Sequence, residues 1–185
     1  MKSRTFVHRR SGFTLVELLV GFAILATLML IAVPEMLQRI REANLRSAAE
    51  QVSSLLRVAR LEGVRGVRPG IVETLPWSEE RPLESFRAFA DIDRDNVYTA
   101  GADRLLGTYD LPSGIELVEP DGLKPGPAVF QPTGAIQNVV WVDIRDGRGN
   151  ELRIEVSPTA TARVTVWKLN PGPAHVLDTL PEEWL

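Results

Sequence analysis

The stretch "HRRSGFTLVELLVGFAILATLMLIAVPEM", His8–Met36, decides how the rest of the chain is read. Its apolar run, Phe13–Val33, has the length of a bilayer-spanning helix and carries one charge, Glu17. Thirteen residues of the run are Leu, Ile, Val or Phe. At roughly −0.3 to −0.6 kcal/mol each they favour insertion by about 6 kcal/mol, against a cost of about 3 kcal/mol for one central acid. Glu17 stands near one end, where the cost is smaller. Insertion is therefore expected. Lys2, Arg4, Arg9 and Arg10 precede the run without an acid among them, which keeps the leader cytoplasmic and exports the C-terminal domain.

Two ordinary readings of this stretch leave something over. A secretory signal has a shorter apolar core ending in small residues, whereas Ala32-Val33 runs straight into Pro34. A plain signal anchor has no use for Glu17. The acid could snorkel to the interface, or it could meet a partner, since an ionisable group inside a membrane marks a functional site by default.

"SGFTLVELLV", Ser11–Val20, resembles the class III signal of type IV pilins and type II secretion pseudopilins. That signal joins a short basic leader, a Gly, a Phe and a Glu at the fifth mature position. The resemblance implies a leader at 1–12, cleavage by a prepilin peptidase between Gly12 and Phe13, and N-methylation of Phe13. It implies assembly through Glu17, paired with the Phe13 ammonium of a neighbouring subunit. Opposite charges attract strongly in a low-dielectric setting where neither is tolerated alone. The expected location is a single pass in the inner membrane with the C-terminal domain periplasmic, and then a pseudopilus or pilus.

Past the run, Pro34 removes one helical hydrogen bond and is expected to bend the axis without ending the helix; a proline here also matches the pilin pattern. "EMLQRIREANLRSAAEQVSSLLRVARLEG", Glu35–Gly63, reads as one amphipathic helix. Leu37, Ile40, Asn44, Ala48, Val52, Leu55 and Ala59 recur at three- and four-residue steps, and Gly63 is the expected stop. Phe13 to Glu62 would measure roughly 75 Å as helix. The expected segments are thus a membrane half, 13–33, and an amphipathic half, 34–62.

From 63 to 169 the texture is β-like. Runs are expected at Ile71–Leu75, Phe86–Ala90, Leu105–Tyr109, Ile115–Val118, Val129–Gln131, Val139–Ile144, Leu152–Ser157 and Arg163–Leu169. "VVWVDIR" and "ELRIEVS" alternate apolar and polar residues, and "RDGRGN" between them carries hairpin chemistry. Connections this short permit antiparallel pairing only. The fold class is α+β, a long helix on antiparallel sheet. The segment 170–185, "NPGPAHVLDTLPEEWL", is Pro-punctuated and reads as a mobile tail.

Within the pseudopilins, "LLRVARLEGVRGVRPGIVE", "FRAFADIDRDNVYTAGADRLL" and "AVFQPTGAIQNVVWVDIRDGRGNELRIEVSPTATARV" are similar to the GspH/FimT group of minor subunits. The group often carries a Gly-Arg pair in its final turn; "TATARV" supplies Arg163 without the Gly. The function implied is that of a minor pseudopilin of a type II secretion machine or, alternatively, a FimT-like minor type IV pilin in pilus biogenesis or DNA uptake. Its implied partners are the prepilin peptidase and other pilin-like subunits.

Other chemistry is sparse. Cysteine is absent, which removes disulfides and thiolates. The single histidine past the leader, His175, stands in the tail, and His8 belongs to the leader. Neither a Walker loop nor a dinucleotide fingerprint is present, so no catalytic residue and no cofactor is expected. Asp91, Asp93 and Asp95 alternate as in a calcium loop, but Asn96 and Ala102 occupy the positions where an EF-hand needs Gly and Glu. The bland reading is an Asp-rich turn, and no metal is assigned. From Pro34 onward 17 basic residues face 23 acidic ones, a poor balance for gripping phosphates, although Arg57, Arg60, Arg65 and Arg68 cluster. Nucleic acid is therefore not expected as a partner. Trp141 and Trp167 are expected in strands, Trp77 and Trp184 in loop or tail.

Overall fold

In the computed structural model, the described residues are 14–66, 68–75, 84–119, 122–157 and 160–169, together with the backbone of 177–179. Residues 1–13, among them His8, Gly12 and Phe13, lie outside them, as do His175, Trp77 and Trp184. The chain divides into two compact units, Met1–Ile40 and Arg41–Leu185.

Among the described residues a single helix, α1, runs Leu15–Gly66. Pro34 sits inside it, as expected, at the cost of the one hydrogen bond its ring cannot donate. In the first unit every described side chain is exposed. The helix there is apolar and long enough to cross a membrane by length and composition. Thr27, the one hydroxyl in the middle of that run, donates to the Ala23 carbonyl at 2.8 Å. It thereby hides its polarity on its own backbone.

The second unit uses the rest of α1 as one wall of its core. Leu45, Ala48, Ala49, Val52, Ser53, Leu56, Ala59 and Gly63 are buried. This stripe includes most of the expected one in this unit and is wider. Ala48, Val52 and Ala59 are buried as expected and Leu55 packs half-buried against the core, whereas Asn44 is exposed and the buried face widens on its other side to Leu45, Ala49, Ser53 and Leu56. Ser53 is tolerated in the core because its hydroxyl bonds the Ala49 carbonyl at 2.7 Å. Gly63 is no stop. It lies a turn before the helix end, where an added Cβ would meet the Phe130 carbonyl at 3.1 Å. Ala59 and Gly63, one turn apart, are the small residues that let α1 approach the sheet.

Nine strands follow among the described residues: β1 Gly70–Leu75, β2 Ser85–Ala90, β3 Arg104–Asp110, β4 Ile115–Leu117, β5 Ala128–Phe130, β6 Val140–Asp146, β7 Glu151–Ser157, β8 Arg163–Leu169 and β9 Leu177–Thr179. They form antiparallel sheet, as expected, divided into two sheets in the orders β3-β2-β1-β5 and β4-β6-β7-β8-β9. The expected strands are all present, with ends shifted by up to two residues. The ninth is additional. Residues 177–179 of the supposed mobile tail pair with β8, Trp167 opposite Thr179 and Leu169 opposite Leu177.

One core joins both sheets to α1. Val72, Ala88 and Phe130 of the first sheet meet Val142, Ile144, Leu152, Ile154 and Val156 of the second in the same buried cluster as Val52 and Leu56. The strict alternation of burial in β6 and β7 leaves Trp141, Asp143, Arg145, Glu151, Arg153 and Glu155 on the opposite face. The first sheet is covered on both faces. Ile71, Phe89 and Val129 form a smaller buried cluster on its far side, with Tyr98 packed against them.

Candidate functional site

At the start of α1 the sequence "TLVE", Thr14–Glu17, closes a reciprocal pair of hydrogen bonds. The Glu17 N–H donates to the Thr14 hydroxyl at 3.2 Å. The Thr14 N–H donates to Glu17 Oε2 at 3.5 Å. This is a capping box, which satisfies two helix-end donors that would otherwise have no partner. The carboxylate also stands at the positive end of the helix dipole. Glu17 thus has a local role that the sequence reading missed, although the Thr-x-x-Glu spacing announces it. Glu17, Leu18, Phe22 and Leu25 edge a shallow groove floored by Gly21, beside which there is open space. Pro34 lies further along the same helix. The structure leaves Gly12 and Phe13 undescribed, so their juxtaposition with Glu17 rests on sequence.

The acidic loop after β2 folds down over the first sheet. Asp91 is fully buried and accepts the N–H of Arg94 at 2.6 Å and of Asn96 at 3.1 Å on its two oxygens. Asp103 accepts the N–H of Ile92 at 2.8 Å and of Thr99 at 2.7 Å. Arg94 and Asn96 have positive φ, 67° and 63°. The loop's hold on the sheet is aromatic. Tyr98 packs edge-on to Phe89 at 5.5 Å, and the Arg87 guanidinium lies 4.1 Å over the Tyr98 ring. Ligand oxygens of Asp91, Asp93 and Asp95 do lie within 4.8 Å of one another. Desolvation, and then the carboxylates of Asp95 and Asp103, raise the pKa of Asp93. Each oxygen of Asp91 accepts one backbone N–H of the turn, the local bonding typical of an Asp-rich turn.

The basic cluster is partly engaged. Arg60 donates to the Gly134 carbonyl at 3.1 Å, while Arg57, Arg65 and Arg68 are exposed. Nearby Glu62 pairs with Arg104 at 3.0 Å. Trp141 and Trp167 lie in strands as expected. Between them Arg153 makes a bidentate pair with Asp143, at 2.7 and 2.8 Å, and lies 5.8 Å over the Trp141 ring. The Trp167 indole N–H is buried without an acceptor among the described residues.

Comparison with known proteins places this geometry. Residues 7–33 match the prokaryotic N-terminal methylation motif. Residues 48–160 match the family described as type II transport protein GspH, a span of more than half the chain. No curated protein matches. Among solved structures, the type IV minor pilin FimU of Pseudomonas aeruginosa (strain PAO1) is similar at 16% identity, with a TM-score of 0.47. That match covers 68% of this chain and 89% of FimU. The chain, a long helix packed on antiparallel sheets behind an N-terminal methylation motif, belongs to the GspH family of type II transport proteins.

Proposed function

We propose that the chain is a minor pseudopilin, a structural subunit of a type II secretion pseudopilus. The family match carries the reading, and the capping box at Thr14–Glu17 gives it a physical basis. In this reading residues 1–12 are a cytoplasmic leader and residues 13–33 span the inner membrane. The unit from Arg41 onward is periplasmic, and the subunit has no catalysis of its own. A prepilin peptidase cuts between Gly12 and Phe13 and the Phe13 amine is methylated. That cut leaves the new ammonium one residue before Thr14, whose N–H the Glu17 carboxylate already accepts. Glu17 is therefore held at the end of the helix, where it can take the ammonium of a neighbouring subunit. The exposed apolar helix then enters a bundle of like helices, and the β-rich unit contacts other minor subunits.

Co-expression with a prepilin peptidase, followed by intact mass measurement, tests this. A chain beginning at methylated Phe13 is expected. A chain that keeps Met1–Gly12, or is cut after Ala32, overturns the reading. Glu17→Gln is expected to be processed like the parent and to lose co-purification with partner subunits.

A further inference from the structure

Four strands stand at the edges of the two sheets, β3 and β5 in the first, β4 and β9 in the second. An edge strand presents a row of N–H and C=O groups without strand partners, and proteins shorten, charge or cover such edges. Three of the four edges follow that pattern. β4, β5 and β9 have three residues each. The Leu117 N–H of β4 is taken by Glu84 Oε2 at 2.7 Å. β5 is covered by the turn that follows it, where the Gln131 N–H meets the Ala135 carbonyl at 2.7 Å and Ile136 pairs with Phe130. β3 is the exception. It has seven residues, Arg104–Asp110, and every one of them is exposed or half-buried.

The pairing of β3 with β2 tells which of its main-chain groups are open. The Leu111 N–H donates to the Glu84 carbonyl at 2.9 Å. Bonding direction alternates along an antiparallel pair, so Tyr109 also bonds toward β2, and Thr108 and Asp110 point their N–H and C=O groups away from it. Both residues are exposed, and among the described residues nothing bonds those groups. The irregularity between Ala88 and Phe89 falls at the other end of the strand, and the register from Gly107 to Asp110 is unbroken.

The side-chain surface beside this edge is apolar. Leu55 of α1, Leu106 and Tyr109 are half-buried and packed against the common core. Gly107 leaves Leu55 uncovered, since an added Cβ there would come within 3.3 Å of Leu55 Cδ1. A glycine inside a strand often marks the close approach of another backbone. At the end of β3 the Asp110 carboxylate is exposed and has no partner among the described residues.

We propose that β3 accepts an added strand from a neighbouring pilin-like subunit, with an apolar residue opposite Gly107 and a Lys or Arg opposite Asp110. An extended chain supplies N–H and C=O groups at the spacing that Thr108 and Asp110 present, and its alternate side chains give the choice of partner. A second copy of β3, joined antiparallel about Thr108, would set Asp110 against Leu106 with no base to answer it, so the occupant is a different strand. The inference rests on the reading that the chain assembles with other subunits, and it assigns the surface of the second unit that meets one of them.

The test uses the full-length chain co-expressed with a prepilin peptidase and the other pilin-like subunits of its machine. Hydrogen exchange over 104–110 is compared between the chain alone in detergent and the co-purified complex. Slowing of about ten-fold or more is expected at Thr108 and Asp110, with little change at Leu117, whose N–H is already bonded. Thr108→Pro removes an N–H that β2 does not use, a substitution edge strands tolerate, and is expected to lower recovery of the complex by about ten-fold. Thr108→Ala keeps the N–H and is expected to assemble like the parent. Equal loss in both variants overturns main-chain pairing, and unchanged exchange over 104–110 in a complex that does form overturns the inference while leaving the assembly reading intact. Failure to co-purify with any pilin-like subunit overturns the assembly reading and this inference together. A photo-crosslinking residue in place of Leu105 then identifies the occupant. A product on an extended segment of another pilin-like subunit is expected. A product on residues 104–110 of a second copy, on a helix, or on a protein of another kind overturns the choice of partner.

Discussion

Replacing Gly70 by alanine should be among the most damaging single-methyl changes available to this fold. Gly70 opens β1 where α1 passes closest. A Cβ there would collide with the Ala59 carbonyl oxygen and come within 2.7 Å of its carbon and 3.3 Å of its Cα. Carbon atoms prefer 3.5–4.0 Å, so the carbonyl carbon is too close by about 1 Å, and every atom in the clash is backbone. No rotamer change relieves it. Either β1 or the helix must move, and the helix carries Val52 and Leu56 in the common core. Overpacking usually costs about 1–3 kcal/mol, and a clash between two main chains belongs at the upper end. At about 2–4 °C per kcal/mol for a domain of this size, Gly70→Ala should melt about 6–12 °C below the parent. Gly147→Ala is the control. Its Cβ meets open space, and its φ lies outside the left-handed region. It should stay within about 0.5 kcal/mol. Thermal unfolding of the detergent-solubilised chain, followed by tryptophan fluorescence, gives both numbers. A Gly70→Ala midpoint within about 2 °C of the parent would refute the claim that α1 and β1 are in backbone contact.

Further outcomes come from the charged groups. Burial would raise the pKa of Asp146, but the N–H donors of Asn150 and Arg148 and the nearby Arg41 cation outweigh it and hold the pKa low. Its stabilising contribution is therefore present above the unfolded value of about 3.9 and lost as pH falls through the folded one. Asp146→Ala should cost about 1–3 kcal/mol at pH 7 and flatten the acid limb of the stability curve, as read by melts between pH 2 and 7. Asp93 has the opposite sign. Its pKa is raised, so the charged form at neutral pH weakens the loop, and the loss is relieved in acid. Asp93→Asn should raise the melting temperature at pH 7 and leave it unchanged at pH 3. The Arg153–Asp143 pair is 23% and 10% exposed at its two side chains, between the surface and buried cases. Arg153→Ala should cost about 2 kcal/mol, and Arg153→Lys should restore only part of it, since lysine cannot reproduce the bidentate geometry.

The strands were legible because each half-covered strand writes its burial as period two. β6 and β7 alternate without exception, and the Asp146 hairpin between them is held by the side-chain chemistry its sequence suggests. What sequence could not separate was the partition of those strands into two sheets, because pairing partners are set by tertiary contacts. The width of the helix stripe was not legible for a similar reason. Leu55 and Leu56 are equal by hydrophobicity, and only the packed sheets choose Leu56. Gly63 has a dual signature, since a glycine near a helix end reads as a stop and a glycine in a helix–sheet contact reads the same. β9 carries too little local pattern, three residues among prolines, to be seen without β8 beside it.

At the start of α1, the structure makes glutamine the most informative replacement for Glu17. A capping box accepts Glu or Gln at its third position, because both present an oxygen to the Thr14 N–H. Glu17→Gln therefore retains the local role and removes only the charge, whereas Glu17→Ala removes both. A cap is worth about 1 kcal/mol, and an ion pair in low dielectric is worth more but only when its partner is present. If Glu17 serves its own helix alone, glutamine should assemble like the parent. If its charge answers the Phe13 ammonium of a neighbour, glutamine should be cut, methylated and stably helical, yet fail to join other subunits. Thr14→Ala gives the complementary case, with the charge kept and the cap lost. A subunit that assembles with Thr14→Ala and not with Glu17→Gln has its assembly carried by charge. The reverse order would make helix capping the reason an acid is kept inside an otherwise apolar run.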